Sequence, residues 1–215
     1  MSPSVLLAEG GFSFVYKAKD ASTGEHFALK KIICQDDEAK EAARSEAEVH
    51  ERFAHENLMP LVDKTFARHP TNASWEVCWL ALPLCSSSLR DEVTRTLLPH
   101  TSFPWRFSDI ISMMEGVARG LTEMHRQSIA HRDIKPENIL LRRQPGDTTA
   151  FGMPVLMDFG SSCPAEVPVA NRRQAVQQTE AAAQLCTMQY RAPELFDVPS
   201  AIGTLSYAAA DVSSV

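Results

Sequence analysis

Two aspartates, an asparagine and two lysines stand in this chain in an order that chemistry can use. Asp133, Lys135 and Asn138 fall inside His131-Arg132-Asp133-Ile134-Lys135-Pro136-Glu137-Asn138, Asp158 follows in Met157-Asp158-Phe159-Gly160, and Lys30 closes Ala28-Leu29-Lys30 far upstream. By type these are oxygen ligands for a hard divalent cation, ammonium groups that neutralise phosphate charge, and a carboxylate able to take a proton. Phosphoryl transfer asks a protein for that set, because its catalysis is mostly positioning and charge neutralisation. Each string recurs by chance. In this order, ahead of Ala192-Pro193-Glu194 and behind the turn Glu9-Gly10-Gly11, they are far less open to coincidence.

The strings resemble the catalytic loop, metal-binding loop and activation-segment anchor of a protein kinase, and the resemblance covers almost the whole chain. It is closest to the Numb-associated kinase group, in particular the myristoylated and palmitoylated serine/threonine kinases of the Golgi. Gly10-Gly11-Phe12-Ser13-Phe14-Val15, Pro154-Val155-Leu156-Met157-Asp158 and Cys186-Thr187-Met188-Gln189-Tyr190-Arg191-Ala192-Pro193-Glu194-Leu195-Phe196 carry it. The resemblance implies an ATP-dependent serine/threonine kinase, a transferase that uses Mg2+ or Mn2+ and moves the γ-phosphate to Ser or Thr hydroxyls of protein substrates. The ending Lys135-Pro136-Glu137-Asn138 looks like serine/threonine rather than tyrosine kinases.

The roles it implies are as follows. Asp133 accepts or orients the acceptor hydroxyl's proton, Lys135 stabilises the transferring phosphate, and Thr187 touches both. Asn138 and Asp158 hold the metal. Lys30 holds the α and β phosphates and pairs with Glu46; alone, Lys30 reads equally as an exposed strand lysine, and the partner and downstream motifs favour the ion pair. Gly10 and Gly11 cover the phosphates. Val15 and Ala28 suit the adenine ring, although both are ordinary strand residues too. Cys85, third residue of the hinge after Leu82, gives adenine its backbone contact, and Pro83 costs nothing because its missing N–H is not needed there. His131 reads as structural.

Three departures limit what the resemblance carries over, the first and third for activity and the second for Golgi attachment. Ala8-Glu9-Gly10-Gly11-Phe12-Ser13 keeps only the middle glycine of Gly-x-Gly-x-x-Gly; a positive φ at Ala8 would cost about 1–3 kcal/mol. Position 2 is Ser2, so the lipidated Met-Gly-Cys start is missing. The family continues to an Asp-x-Trp-Ser-x-Gly helix, whereas Ala210-Asp211-Val212-Ser213-Ser214-Val215 puts Ser213 where Trp is expected. A truncated nucleotide-binding pseudokinase or inactive fragment is therefore the alternative. Arg132 is a candidate receptor for a phosphorylated residue such as Thr179.

The elements that must position these residues follow from periodicity. Val5 to Lys19 reads as two strands around the glycine turn and His26 to Ile33 as a third. Asp36 to Phe53 reads as a helix with Ala39, Ala42, Ala43, Glu46, Val49, His50 and Phe53 on one stripe. Leu58 to Phe66 and Trp75 to Leu84 are the next strands, split by His69-Pro70-Thr71-Asn72. Ser88-Leu89-Arg90-Asp91 fits a capping box. Ser108 to His125 is a long amphipathic helix capped by Ser108, with Ile110, Ile111, Met114, Val117, Ala118, Leu121 and Met124 recurring. Ile139-Leu140-Leu141 and Pro154 to Met157 flank a hairpin signal at Gln144-Pro145-Gly146-Asp147. Ala175 to Leu185 is helical, either as an activation-segment feature or as a plain surface helix. The expected class is α+β: a two-lobed kinase-like fold with an antiparallel-sheet lobe plus one helix over 1–85, and a mainly helical, incomplete lobe over 86–215.

Composition narrows the setting. A net charge of −6 over 215 residues, without a basic run, gives no reason to expect nucleic-acid binding. Five scattered cysteines, never in a Cys-x-x-Cys pair, suit reduced thiols and a cytoplasmic setting. No run is long and apolar enough for a transmembrane segment, so the chain reads as soluble. The resemblance adds the periphery of Golgi or other endomembranes. The residues set no oligomeric state.

Overall fold

A computed structural model describes residues 2–97, 105–143, 151–200 and 203–215. The chain forms two compact units, residues 1–54 with 59–85 and residues 55–58 with 86–215, and the architecture is α+β as expected.

The first unit is a five-stranded sheet in the order β1-β2-β3-β5-β4, antiparallel throughout. Its strands are β1 (Ser2–Glu9), β2 (Ser13–Lys19), β3 (His26–Cys34), β4 (Asp63–Arg68) and β5 (Glu76–Pro83), with helix α1 (Asp37–Arg52) between β3 and β4. Asp36 caps α1 by accepting from Ala39 N at 2.8 Å, and acidic Asp37 and Glu38 fill the first turn. Its inward face is Ala43, Glu46, Ala47 and His50; Ala42, expected inside, is exposed. The alanines pack with Cys34, Cys78 and Leu80 of β3 and β5. Burial pushes the Cys78 thiol up to about 12, so it serves as a small apolar group. All five cysteines are free thiols.

The expected strand Leu58 to Phe66 begins later, at Asp63. Leu58 instead forms an isolated parallel bridge with Leu156, and Asn57 accepts from Leu156 N at 2.9 Å. Both contacts lie inside the second unit.

That unit starts with β6 (Ser87–Ser88) and α2 (Leu89–Thr96), where Ser88 and Asp91 form the expected capping box. Helix α3 spans Phe107–Arg126, followed by β7 (Ile129–Ala130), β8 (Ile139–Arg142) and β9 (Met153–Leu156). Then come β10 (Cys163–Pro164), β11 (Glu166–Val169), α4 (Arg172–Leu185), β12 (Gly203–Ser206) and α5 (Tyr207–Ser213). The hairpin signal at Gln144 to Asp147 lies outside the described residues, although β8 and β9 do pair antiparallel. The pairs β7–β10 and β11–β12 were not expected.

Two details of α3 differ from the sequence reading. Its cap is Arg106, not Ser108: Asp109 accepts from Arg106 N at 3.0 Å, closing the first turn whatever side chain stands at the cap. Its buried stripe is Met113, Gly116, Val117, Gly120, Leu121 and Met124, while Ile111 and Met114 are 38% and 45% exposed. The glycines let the backbone approach β9. A Cβ on Gly116 would meet Pro154 Cγ at 2.5 Å, and one on Gly120 would meet Asn57 O at 3.0 Å. Gly116→Ala is expected to destabilise the chain by about 1–3 kcal/mol, because a ring cannot swing aside as a flexible chain end can. Urea unfolding checks this.

Candidate active site

In the first unit the register sets the residues on one face of the sheet. Val15 pairs with Lys30, Lys30 with Leu80, and Ala28 with Leu82. Directly paired residues share a side, so Val15, Ala28 and Lys30 line the face on which Ala43 and Ala47 of α1 pack. Lys30 Nζ lies 2.6 Å from Glu46 Oε1 and both residues are buried. This is the expected ion pair, formed across 16 residues of sequence. Cys85, half-buried, lies two residues past the end of β5.

Gly10 and Gly11 sit in the turn between β1 and β2, held by Gly10 N donating to Ser13 O at 2.8 Å. Neither has positive φ. Ala8 belongs to β1 and is absent from the positive-φ residues, so the strain feared there does not arise.

The second unit gathers Asp133, Lys135, Asn138 and Thr187. Asp133 Oδ1 accepts from Thr187 Oγ1 at 2.7 Å and Thr187 N at 2.9 Å, and its Oδ2 lies 2.7 Å from Lys135 Nζ. Lys135 Nζ also donates to Thr187 Oγ1 at 3.0 Å. Burial pushes the Asp133 carboxyl up, but the hydrogen bonds from Lys135 and Thr187 and the lysine charge outweigh it and hold it below the usual carboxylate range. Asp133 is therefore charged at neutral pH.

Asn138 turns its Nδ2 toward Asp133, at 2.9 Å from the carbonyl and 3.1 Å from Oδ2. Its Oδ1 is thereby the end presented elsewhere. Pairing of Ile139 with Leu156 puts Asn138 and Met157 at adjacent strand ends, and Met157 N donates to Asn138 O at 3.0 Å. Asp158 comes next, in left-handed conformation (φ 65°), before a 3-10 turn over Phe159–Ser161. His131 bonds Met157 O through Nε2 at 3.0 Å and meets Phe159 edge-on, the structural role read for it. Among the described residues no three His, Cys, Asp or Glu side chains converge as a metal cage. Amide and carboxylate oxygens at Asn138 and Asp158 fit Mg2+, which takes one or two protein ligands and fills the rest with phosphate and water.

Sequence reasoning missed what holds this loop. Asp211, 1% exposed, accepts from His131 N at 2.8 Å, Arg132 N at 2.7 Å and His125 Nε2 at 2.9 Å. Its only signal was the short Ala210-Asp211 string. Arg132 and unphosphorylated Thr179 each have other partners here. Arg132 Nε donates to Ser161 O at 2.8 Å and its guanidinium stacks 5.4 Å over Tyr207, whose hydroxyl donates to Gln178 Oε1 at 3.0 Å. Thr179 Oγ1 donates to Ala175 O and accepts from Val198 N, tying α4 to the following turn.

A family model described as protein kinase domain matches residues 3–212. The chain is 41% identical over 195 residues to serine/threonine-protein kinase 16 of Mus musculus and 40% identical to its Homo sapiens counterpart, in each case covering 90% of this chain and 60% of the relative. It is 30% identical to a probable serine/threonine-protein kinase of Dictyostelium discoideum, covering 91% of this chain and 68% of that protein. The chain thus spans 60% of the length of its mammalian relatives.

Proposed function

The chain belongs to the protein kinase domain family, and from that membership we propose that it transfers the γ-phosphate of ATP to serine and threonine hydroxyls of protein substrates. The observation that carries this reading is the Asp133–Lys135–Thr187–Asn138 cluster. Asp133, charged and hydrogen-bonded from Thr187 and Lys135, is set to receive an acceptor hydroxyl and its proton. The hydroxyl oxygen bonds to the γ-phosphorus as the β–γ bridging bond breaks and ADP leaves. Lys135 supplies positive charge beside Asp133. Lys30, oriented by Glu46, binds the α and β phosphates, with Val15 and Ala28 against the adenine and the Cys85 backbone at its edge. Asn138 and Asp158 would hold magnesium, which when bound would neutralise charge on the phosphates.

Within the family we infer membership of the Numb-associated group, beside its lipidated serine/threonine kinases, from the strings Gly10 to Val15, Pro154 to Asp158 and Cys186 to Phe196. Residues 1–85 read as small lobe and hinge and 86–215 as part of the large lobe. The five free thiols support a cytoplasmic location, with the endomembrane periphery as its finer form.

A thermal unfolding scan with and without Mg·ATP tests the nucleotide site. Saturating ligand at about 100 times its Kd should stabilise the wild type by about 2.7 kcal/mol, and Lys30→Met should lose most of that rise. An equal rise in both proteins would refute the assignment of Lys30. Thr187→Ala should lower the transfer rate about 10- to 100-fold by removing a hydrogen bond to a charged group. Thr187→Ser, which keeps the hydroxyl, should restore most of it.

A further inference from the structure

Helix α1 meets the sheet through small side chains, Ala43 and Ala47 against Cys34, Cys78 and Leu80. Such a face fixes the distance of a helix better than its rotation, since alanines offer no knob to lock one azimuth. Rotation decides whether Glu46 reaches Lys30. The ion pairs at the rim of α1, Arg44 with Glu76 and Lys64 with Glu51, are exposed enough to be weak. One turn beyond Glu46, however, stands His50, a polar residue that is 1% exposed.

His50 Nδ1 lies 2.9 Å from Met59 O, and Met59 is itself buried. A carbonyl only accepts, so Nδ1 carries the proton. The other ring nitrogen, Nε2, points toward the carboxylate, 3.9 Å from Glu46 Oε1. The imidazole therefore fastens α1 to the chain leading into β4, immediately behind the residue that orients Lys30.

We propose that His50 is a positioning residue: its Nδ1–H bond to the Met59 carbonyl fixes the rotation of α1 and thereby holds Glu46 against Lys30. The role deepens the ATP-site reading and rests on it for its consequence, nucleotide affinity, but not for its geometry. The bond needs a donor at one place in the ring. Asparagine puts its Nδ2 near the Nδ1 position, glutamine reaches instead to the Nε2 position, and leucine fills the space without donating.

The test is a comparison of His50→Asn, His50→Gln and His50→Leu in the full chain, read by the 15Nζ signal of Lys30 without ligand and by the Kd for Mg·ATP. His50→Asn should keep the wild-type Lys30 signal and affinity. His50→Gln and His50→Leu should shift that signal and weaken Mg·ATP binding about tenfold, the size of one lost hydrogen bond. A packing role alone would lower the melting temperature of all three and leave the Lys30 signal of folded protein unchanged, which would overturn the proposal. So would His50→Gln behaving as His50→Asn does, a comparison that stands if the leucine variant fails to fold. If wild type binds no Mg·ATP, the nucleotide reading fails, while the ligand-free Lys30 signal still decides the role of His50.

Discussion

Asp133→Asn is expected to slow phosphotransfer by about 10²- to 10⁴-fold, the range for loss of a positioned acid–base group, and to lower stability by about 1–3 kcal/mol. The amide keeps an oxygen that can accept from Thr187, which donates to Oδ1 through both Oγ1 and N. It loses the negative charge that faces Lys135 at 2.7 Å and would receive the proton. Stability should fall near neutral pH as well, because the Asp133 side chain is only 11% exposed and an amide there turns an N–H donor toward Lys135 Nζ and Asn138 Nδ2, now 2.7 and 3.1 Å from Oδ2. The acid side separates the proteins. A carboxylate whose folded pKa is depressed contributes stability above its unfolded value of about 3.9, and that contribution fades as pH falls through the folded value. Asp133 is such a group, so its part of the acid destabilisation falls below about pH 4 and should vanish in the variant. Steady-state transfer rates and acid unfolding of the two proteins measure both effects. A variant that keeps more than half the wild-type rate would contradict the role given to Asp133.

Asp211→Ala should be the most destabilising substitution in the second unit. It leaves His131 N and Arg132 N without the acceptor now at 2.8 and 2.7 Å, and each buried unsatisfied donor costs about 1–3 kcal/mol. Arg132 holds φ at 71°, a conformation that a non-glycine residue keeps only when its surroundings insist. Asp211 is part of that insistence. Together the losses come to about 3–5 kcal/mol, a large share of a domain's stability. Transfer should fall with it, because the loop that carries Asp133 loses its anchor. Asp211→Asn, with one acceptor oxygen retained, should cost roughly half as much. Urea unfolding monitored by far-ultraviolet circular dichroism reads the series, and an alanine variant as stable as wild type would show that the loop is held by something else.

The parts of the fold written in local sequence were legible. Alternation gave β2, β3 and β5; Asp36 ahead of an alanine- and glutamate-rich run marked α1; Ser88 and Asp91 marked α2. The residues proposed for the chemistry stand in short contiguous strings, and the distance from Lys30 to Glu46 suited a strand followed by a helix, where the two do form an ion pair. What stayed hidden depends on contacts far apart in the chain or on residues that contribute by having no side chain. Gly116 and Gly120 face inward on α3 because the backbone must approach Pro154 and Asn57, yet an apolar count passes over them and turns the expected stripe toward Ile111 and Met114. Asp109 closes the first turn from inside the helix, so a search for a polar cap stops at Ser108. The β11–β12 pair, the Asp211 anchor and the Arg132–Tyr207 stack join segments tens of residues apart, with no local pattern to announce them. His50 looked like one more member of a helical stripe; only its bond to Met59 distinguishes it.

Serine/threonine phosphotransfer is tested most directly by transfer of labelled γ-phosphate from ATP to a protein acceptor by the purified chain, followed by identification of the phosphorylated amino acid. Phosphoserine and phosphothreonine are expected, formed only when Mg2+ or Mn2+ is present and lost in both Asp133→Asn and Asp158→Ala. Transfer that persists in both variants, or label found chiefly on tyrosine, would contradict it.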